Sequence, residues 1–158
     1  MNFDKLAATC RKNRVKVIFL NTPGNPFGKI WSKEEIETLD EIAWQEGIFI
    51  VVDAVYQELY FDAPPYHPIH RFSDRMFYVN SFSKIFSITG WRIGYLIATG
   101  KHMSAIKSIH DYTGLCAPSV LQEAIVRYIK QNNWGRAYMD SMRKKLKDGF
   151  DMMKSGLE

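Results

Sequence analysis

An uninterrupted apolar run near the middle of the chain is the feature that most limits the folds available to it. Residues Ile48 to Val52 are all apolar, and four of the five are β-branched. Such a run is typical of a strand covered on both faces in a parallel sheet. Asp53 follows directly; a charged residue there is either a cap for the next segment or a functional group at the carboxyl edge of the sheet. The run predicts an α/β fold with buried parallel strands.

Three more strands and two loops are predicted around this run. Val15 to Leu20 predicts a strand, and Asn21 to Gly28 must be a rigid loop because it holds two prolines and two glycines in eight residues. Met76 to Val79 predicts a second buried strand, and we expect Ser81 to Lys84 on the loop that leaves it. Trp91 to Ala98 predicts one further strand. Strands in this order favour a mostly parallel sheet with one antiparallel member.

Helical patterns fill the remaining chain. Asp4 is placed to cap a first helix, and a capping box at Ser32 and Glu35 predicts a second helix that stops at Gly47. Residues 59–75 show little periodicity and predict a surface excursion. Three helices are predicted at the end of the chain, over residues 101–112, 118–131 and 134–154. The last and longest of them carries an apolar stripe that we expect to lie in the core: Tyr138, Met142, Leu146, Phe150 and Met153.

Composition excludes several functional classes. The 158 residues fit one domain, and 46% apolar residues without low-complexity tracts indicate a folded protein. The net charge of +4 is spread over helices beside acidic residues, without the interleaved aromatics of a nucleic-acid surface. Cys10 and Cys116 have no paired spacing, so neither a zinc site nor a disulfide is indicated. With no signal peptide and no apolar run of membrane length, a cytoplasmic protein is expected.

Polar side chains recur on loops or edges beside the ends of successive predicted strands. They are Asn25, Asp53, Tyr56, Ser81, Lys84 and Arg92. The carboxyl ends of strands in an open α/β sheet converge on one crevice, so residues far apart in sequence can share one site there. An amine that can act as a nucleophile and a fixed cation that can hold a phosphate are the two groups that a pyridoxal phosphate site needs. Lys84 and Arg92 supply both.

Three motifs in this order resemble a known family. Asn21 to Gly28 reads Asn-x-Pro-x-Asn-Pro-x-Gly, and Asp53 to Tyr56 reads Asp-x-x-Tyr. Ser81 to Tyr95 joins Ser-x-Ser-Lys to Gly-Trp-Arg-x-Gly-Tyr. From about Val15 to the final helix, the chain resembles the pyridoxal phosphate-dependent aminotransferases of fold type I, class I/II, nearest in appearance to the branch with aspartate and kynurenine-type enzymes. The resemblance implies a three-layer α/β/α large domain.

The resemblance also implies a reaction and the roles of two residues. Lys84 would form the Schiff base with pyridoxal 5′-phosphate and then shuttle the proton between the substrate α-carbon and the cofactor. Asp53 would pair with the pyridine nitrogen and keep it protonated. The implied function is transamination of an amino acid with a 2-oxo acid.

Four other residues take binding roles by the same resemblance. Asn25 and Tyr56 would hydrogen-bond the phenolic oxygen of the cofactor, while Ser81 and Arg92 would bind its phosphate. Family members are longer two-domain enzymes, so residues 1–158 are expected to be a central part of the large domain without the flanking N-terminal segment and small domain. We therefore expect little activity from these residues alone, and a homodimer in the full-length parent protein.

Other interpretations of the same residues are weaker or remain open. A lyase or synthase of the same fold, or the ligand-sensing aminotransferase-like domain of a transcription regulator, would share the lysine and the aspartate. Ser81 and Lys84 also match the Ser-x-x-Lys of class A β-lactamases, but Lys154 to Gly156 ends a helix where the Lys-Thr-Gly strand should be, and no Ser-Asp-Asn occurs. His67 and His70 indicate no metal site, because Pro68 between them opposes the helix that would align them.

Overall fold

Four strands form one mixed sheet in the computed structural model, which describes residues 1–157. The strands are β1 (Val17–Asn21), β2 (Phe49–Asp53), β3 (Met76–Ser81) and β4 (Gly94–Ile97). Their spatial order is β1-β2-β3-β4. The first three run parallel, and β4 is antiparallel to β3. The predicted mostly parallel sheet with one antiparallel strand is confirmed, and so is the long helix near the end of the chain.

Six α-helices accompany the sheet. They are α1 (Phe3–Lys12), α2 (Lys33–Glu46), α3 (Phe82–Ile85), α4 (Gly100–Thr113), α5 (Ser119–Gln131) and α6 (Arg136–Ser155). The capping box at Ser32 and Glu35 is present, and Gly47 ends α2 in the left-handed conformation, as predicted. The cap of α1 was predicted wrongly: Asn2 accepts the backbone N–H of Lys5 (2.8 Å), and Asp4 lies inside the first turn.

The two faces of the sheet are covered unequally. Because β1, β2 and β3 are in register, alternate residues of each point to the same side. One side packs on α2 and forms the core, which includes Leu20, Ile36, Leu39, Ala43, Ile50, Val52, Met76 and Tyr78. On the other side His102 of α4 lies 5.4 Å from the rings of both Phe49 and Phe77. Phe19 on this side remains 79% exposed.

Two predicted segments differ from the structure. The excursion between β2 and β3 is not confined to the surface, since Pro68 is buried and three of its neighbours pack against the core: Tyr66, Ile69 and Phe72. The apolar stripe of α6 is not core, because Leu146, Phe150 and Met153 are 41–60% exposed. Instead Arg143 attaches α6 to the excursion: it donates to the Glu58 carbonyl (3.2 Å) and lies 4.6 Å from the Tyr60 ring.

Gly135, at the start of α6, is a position where the fold requires glycine. Its φ is +73°, and an added Cβ would lie 2.6 Å from the ring of Phe86, which is itself packed against Tyr128 and Tyr138. We expect Gly135→Ala to reduce the free energy of unfolding by about 2–4 kcal/mol, combining left-handed strain with overpacking. Gly149 is the matched control: it lies inside α6 with no atom within 4 Å of an added Cβ.

Urea unfolding of both variants tests this expectation. Gly149→Ala should stabilise the protein by about 0.5–1 kcal/mol, because alanine is the better helix former and nothing opposes its methyl group. If both substitutions shifted the midpoint upwards, the crowding of Gly135 against Phe86 would be disproved.

Candidate functional site

The candidate site lies at one edge of the sheet. Parallel strands β1, β2 and β3 all end there, and the antiparallel β4 begins there because Gly94 pairs with Ser81. Asn21 likewise pairs with Asp53 across β1 and β2. The edge therefore collects the loops after three strands and the loop before the fourth, which explains how Arg92 reaches the same region.

Lys84 is half-buried on α3, the single helical turn that follows β3. Lys84 was predicted on a loop, and the structure places it on a helical turn instead. Ser81, the last residue of β3, caps this turn. Lys84 Nζ lies 5.6 Å from the centroid of the Tyr56 ring. The Tyr56 hydroxyl accepts a hydrogen bond from Asn25 Nδ2 at 3.1 Å. An amine, a phenol and an amide from three separate segments thus lie next to one another.

Asp53 stands at the centre of a hydrogen-bond network between β1 and β2. Its Oδ1 accepts the N–H of Val55 at 3.2 Å. Its backbone carbonyl accepts from the N–H of Thr22 (3.0 Å) and from Asn21 Nδ2 (3.2 Å). Asn21 Oδ1 in turn accepts the N–H of Asn25 at 2.7 Å. Asn21 was not among the predicted site residues, although it opens the motif that contains Asn25, and it joins that loop to Asp53.

Ser81 and Arg92 occupy the other half of the edge. Ser81 Oγ donates to the carbonyl of Ile93 (3.2 Å) and accepts the N–H of Ser83 (3.1 Å). The strand predicted from Trp91 begins only at Gly94, because a 3₁₀ turn ends at Trp91 and Arg92 follows in the left-handed region with φ 55°. That conformation is uncommon for a side chain as large as arginine and marks the position for attention.

Within residues 1–157, the cationic groups of Lys84 and Arg92 have no carboxylate partner. Arg92 Nη1 donates to the Thr89 carbonyl at 3.1 Å, and the arginine is exposed. Within residues 1–157 neither side chain takes part in an ion pair. A half-buried cation such as Lys84 would be expected to have a carboxylate partner. The two positive charges are therefore available to an anion.

A cavity of about 900 Å³ opens beside these two cations. Its opposite wall is the segment from α4 to α5, which contributes His110, Cys116 and Gln122. None of these three was predicted from the sequence, because nothing in a helical pattern indicates that the end of the helix faces a site formed by earlier segments of the chain. The wall offers an imidazole, a thiol and an amide to whatever the cavity holds.

The six predicted residues fall into two groups. The cavity lining includes Ser81, Lys84 and Arg92. The remaining three lie outside the described lining, on the β1 and β2 side: Asn25, Asp53 and Tyr56. The contact between Lys84 and the Tyr56 ring connects the groups. The structure thus brings all six to one edge but encloses only half of them in one cavity.

Residues 1–157 contain neither a metal-binding cluster nor a membrane-spanning helix. No group of three or more His, Cys, Asp or Glu side chains within this range is arranged to hold a metal ion. No helix within it combines the length and apolarity needed to cross a bilayer.

An open, mostly parallel sheet with charged side chains gathered beyond its carboxyl edge defines an α/β protein of the class that binds small molecules at that edge. Comparison with known families narrows this class. The family described as aminotransferase class I and II matches residues 1–158. The chain belongs to this family.

Curated relatives match almost the whole chain but exceed it in length. It is 34% identical over 151 residues to a probable aspartate aminotransferase of Methanocaldococcus jannaschii, covering 92% of this chain and 39% of the relative. It is 33% identical over 141 residues to a kynurenine–oxoglutarate transaminase of Dictyostelium discoideum, covering 84% of this chain and 32% of the relative. The chain therefore spans about two fifths or less of the length of these relatives.

Solved structures share the fold. An aspartate aminotransferase of Thermus thermophilus with maleate superimposes with a TM-score of 0.90 at 24% identity, covering 99% of this chain and 41% of that one. A putative kynurenine aminotransferase of Saccharomyces cerevisiae gives 0.87 at 28% identity, covering 98% and 37%. The sheet and its helices therefore have the fold of the fold type I aminotransferases.

Proposed function

We propose that this chain carries one side of the pyridoxal 5′-phosphate site of an aminotransferase, with Lys84 as the lysine that bonds to the cofactor. The reaction would transfer an amino group between an amino acid and a 2-oxo acid. The observation that carries the proposal is the unpaired Lys84 amine beside Tyr56 and Asn25, next to Asp53 at the same sheet edge in a member of the aminotransferase family. Aspartate and kynurenine are the first donors to test, because they appear in the names of relatives.

The available donors and acceptors fit the cofactor. A phosphate dianion requires a cation and a hydroxyl donor, and Arg92 and Ser81 would provide them in one cavity. A protonated ring nitrogen requires a carboxylate, which Asp53 offers. A phenolic oxygen requires donors, which Asn25 and Tyr56 would supply. When bound, pyridoxal phosphate supplies an aldehyde that condenses with amines and a ring that accepts the electrons of a bond broken at the substrate α-carbon.

Lys84 has the surroundings that proton transfer requires. Within residues 1–157 its amine has neither a hydrogen bond nor an ion pair, so no side chain there competes with a substrate for it. Lys84 would take the proton from the substrate α-carbon and later return it. Tyr56, held by Asn25, limits where the amine can move.

Arg92 is expected to determine how tightly the cofactor is held. Arg92→Ala should weaken pyridoxal phosphate binding about 10- to 100-fold, because a charge-assisted hydrogen bond contributes roughly 1.5–3 kcal/mol. Equilibrium dialysis or absorbance titration measures the change. Arg127→Ala is the matched control, since this arginine is 72% exposed on α5 and pairs with Glu123. Equal affinities in both variants would remove Arg92 from the phosphate site.

The proposed function is tested on protein expressed from the complete reading frame. Incubation with pyridoxal phosphate, reduction with borohydride and peptide mass spectrometry should find a phosphopyridoxyl group on Lys84. Amino donors are then screened with 2-oxo acid acceptors by chromatography of both products. Formation of an oxo acid and a new amino acid in equal amounts supports transamination. Loss of a substituent from the donor without transfer of its amino group would indicate a same-fold lyase. Sedimentation of the same sample tests the homodimer, which we propose for the complete protein.

A further inference from the structure

A line of buried polar side chains follows β3 to the candidate site, where Asn80 is one of the residues that line the cavity. Tyr78 and Asn80 occupy alternate positions of this strand and are 1% and 3% exposed. Both point to the α2 side, whereas Ser81 points to the other side. His67, from the excursion between β2 and β3, completes the line. None of the three has a role in the proposed reaction.

Each member of the line contacts the next. The Tyr78 hydroxyl lies 3.2 Å from His67 Nε2, and their rings stack at a centroid distance of 5.3 Å. Asn80 Nδ2 donates to the Tyr78 hydroxyl at 3.2 Å. At its other end, Asn80 Oδ1 accepts the backbone N–H of Ser81 at 2.7 Å. The backbone N–H of Ser81 can only donate, so it requires the oxygen of the Asn80 amide and determines the orientation of that amide.

Hydrogen-bond chemistry gives the line a direction. The Tyr78 oxygen accepts from Asn80, and in the neutral tautomer of His67 that carries its hydrogen on Nδ1, the Tyr78 hydroxyl donates its own proton to Nε2. Burial, with a smaller effect of His70, lowers the pKa of His67, which favours the neutral ring. Burial likewise raises the pKa of Tyr78 and keeps the phenol protonated. A proton is thus donated at each of the two steps from Asn80 to His67.

The line ends at the residue that organises the lysine turn. Ser81, whose N–H is held by Asn80, caps α3 by accepting the N–H of Ser83. Its hydroxyl also donates to the carbonyl of Ile93, the residue after Arg92. Asn80 therefore holds the backbone N–H of Ser81. The Ser81 hydroxyl in turn holds the two segments that carry Lys84 and Arg92.

We propose that Asn80, oriented by Tyr78 and His67, is a positioning residue for the turn that carries Lys84. The proposal rests on the function proposed above, because it assigns Asn80 a purpose in presenting Lys84 to the cofactor. Asn80→Ala removes both of its bonds, and Tyr78→Phe removes the hydroxyl that orients it. We expect each to slow the labelling of Lys84 by pyridoxal phosphate and borohydride about tenfold, the effect of one buried hydrogen bond.

Two controls separate positioning from general loss of stability. Tyr66→Phe removes the hydroxyl of a half-buried tyrosine on the excursion. Within residues 1–157 this hydroxyl has no hydrogen-bond partner. Asp40→Asn weakens a buried contact far from the site, where Asp40 accepts from Ser73 and pairs with Arg71. Both controls should label Lys84 at the wild-type rate, although Asp40→Asn should lower the urea midpoint.

Amide hydrogen exchange supplies a readout that needs no cofactor. In Asn80→Ala the N–H of Ser81 should exchange about tenfold faster, because it loses its acceptor. In Tyr78→Phe it should also exchange faster, because the amide that accepts it is no longer held by the Tyr78 hydroxyl. The internal reference is the N–H of Ala54, which donates to the carbonyl of Val79 on β3. Its exchange rate should not change. If Asn80→Ala does not fold, Tyr78→Phe alone decides the outcome.

The outcomes distinguish this proposal from the function on which it rests. If wild-type protein is not labelled at Lys84, the proposed function is wrong. If it is labelled and Tyr78→Phe is labelled at the same rate with unchanged exchange at Ser81, the positioning role is wrong. Slower labelling in Asp40→Asn as well would assign the effect to stability and overturn the proposal.

Discussion

Lys84→Ala is expected to abolish covalent attachment of pyridoxal phosphate and to reduce transamination by more than about 1,000-fold. The substitution removes the one group that would serve both as nucleophile and as proton carrier, and general acid–base catalysis alone contributes about 100- to 10,000-fold. The fold should persist, because Lys84 Nζ forms no hydrogen bond or ion pair within residues 1–157 and its ring contact is with Tyr56.

The measurement compares the variant with Lys101→Ala, an exposed lysine at the start of α4. Borohydride trapping followed by peptide mapping should detect the phosphopyridoxyl group in wild type and in Lys101→Ala, and nowhere in Lys84→Ala. The urea midpoints of the three proteins should agree. A label that moves to a different lysine with turnover retained would disprove the assignment of Lys84.

Local sequence signals predicted the elements whose causes are local. Helix α2 begins at the capping box of Ser32 and Glu35 and ends at Gly47 as predicted, since all its determinants lie within its own length. The turn of Lys84 and the late start of β4 at Gly94 were not predicted. Both depend on the pairing of β3 with β4. In the paired structure the backbone of Arg92 is in the left-handed region, and the Ser81 hydroxyl donates to the carbonyl of Ile93. A tertiary contact decides those conformations.

The candidate site divides in the same way. Asp53 and Lys84 were predicted because a charged residue at the end of an apolar strand is conspicuous in the sequence. Asn80 also carried a signal, a polar residue at an inward position of a strand. His67, which contacts the Tyr78 hydroxyl that Asn80 binds, lies on an excursion without periodicity. Only the fold shows that Pro68 and its neighbours enter the core and bring His67 to Tyr78. The wall from α4 to α5 was inaccessible for the same reason.

Asp53→Asn is expected to reduce transamination about 100- to 1,000-fold while leaving Lys84 labelled. The carboxylate is proposed to keep the pyridine nitrogen of the cofactor protonated, and loss of one preorganised electrostatic contact has an effect of this size. Asparagine has the same shape and retains the Oδ1 that accepts the N–H of Val55. The backbone bonds of Asp53 to Asn21 and Thr22 are unaffected by the change. The change therefore removes the charge and replaces Oδ2 by an amide NH₂ group, while the hydrogen bonds described above are kept.

This prediction decides between the two readings that the sequence left open for Asp53. If the carboxylate only caps the segment after β2, asparagine replaces it and turnover stays at the wild-type level. If it acts on the cofactor, turnover falls while the extent of Lys84 labelling and the urea midpoint stay unchanged. Asp111→Asn, an exposed aspartate on α4, controls for loss of a negative charge. A parallel fall in labelling, stability and turnover would instead show that Asp53 is structural. Loss of a charge that acts only on the cofactor ring would not destabilise the loop that Asn21 and Thr22 bind.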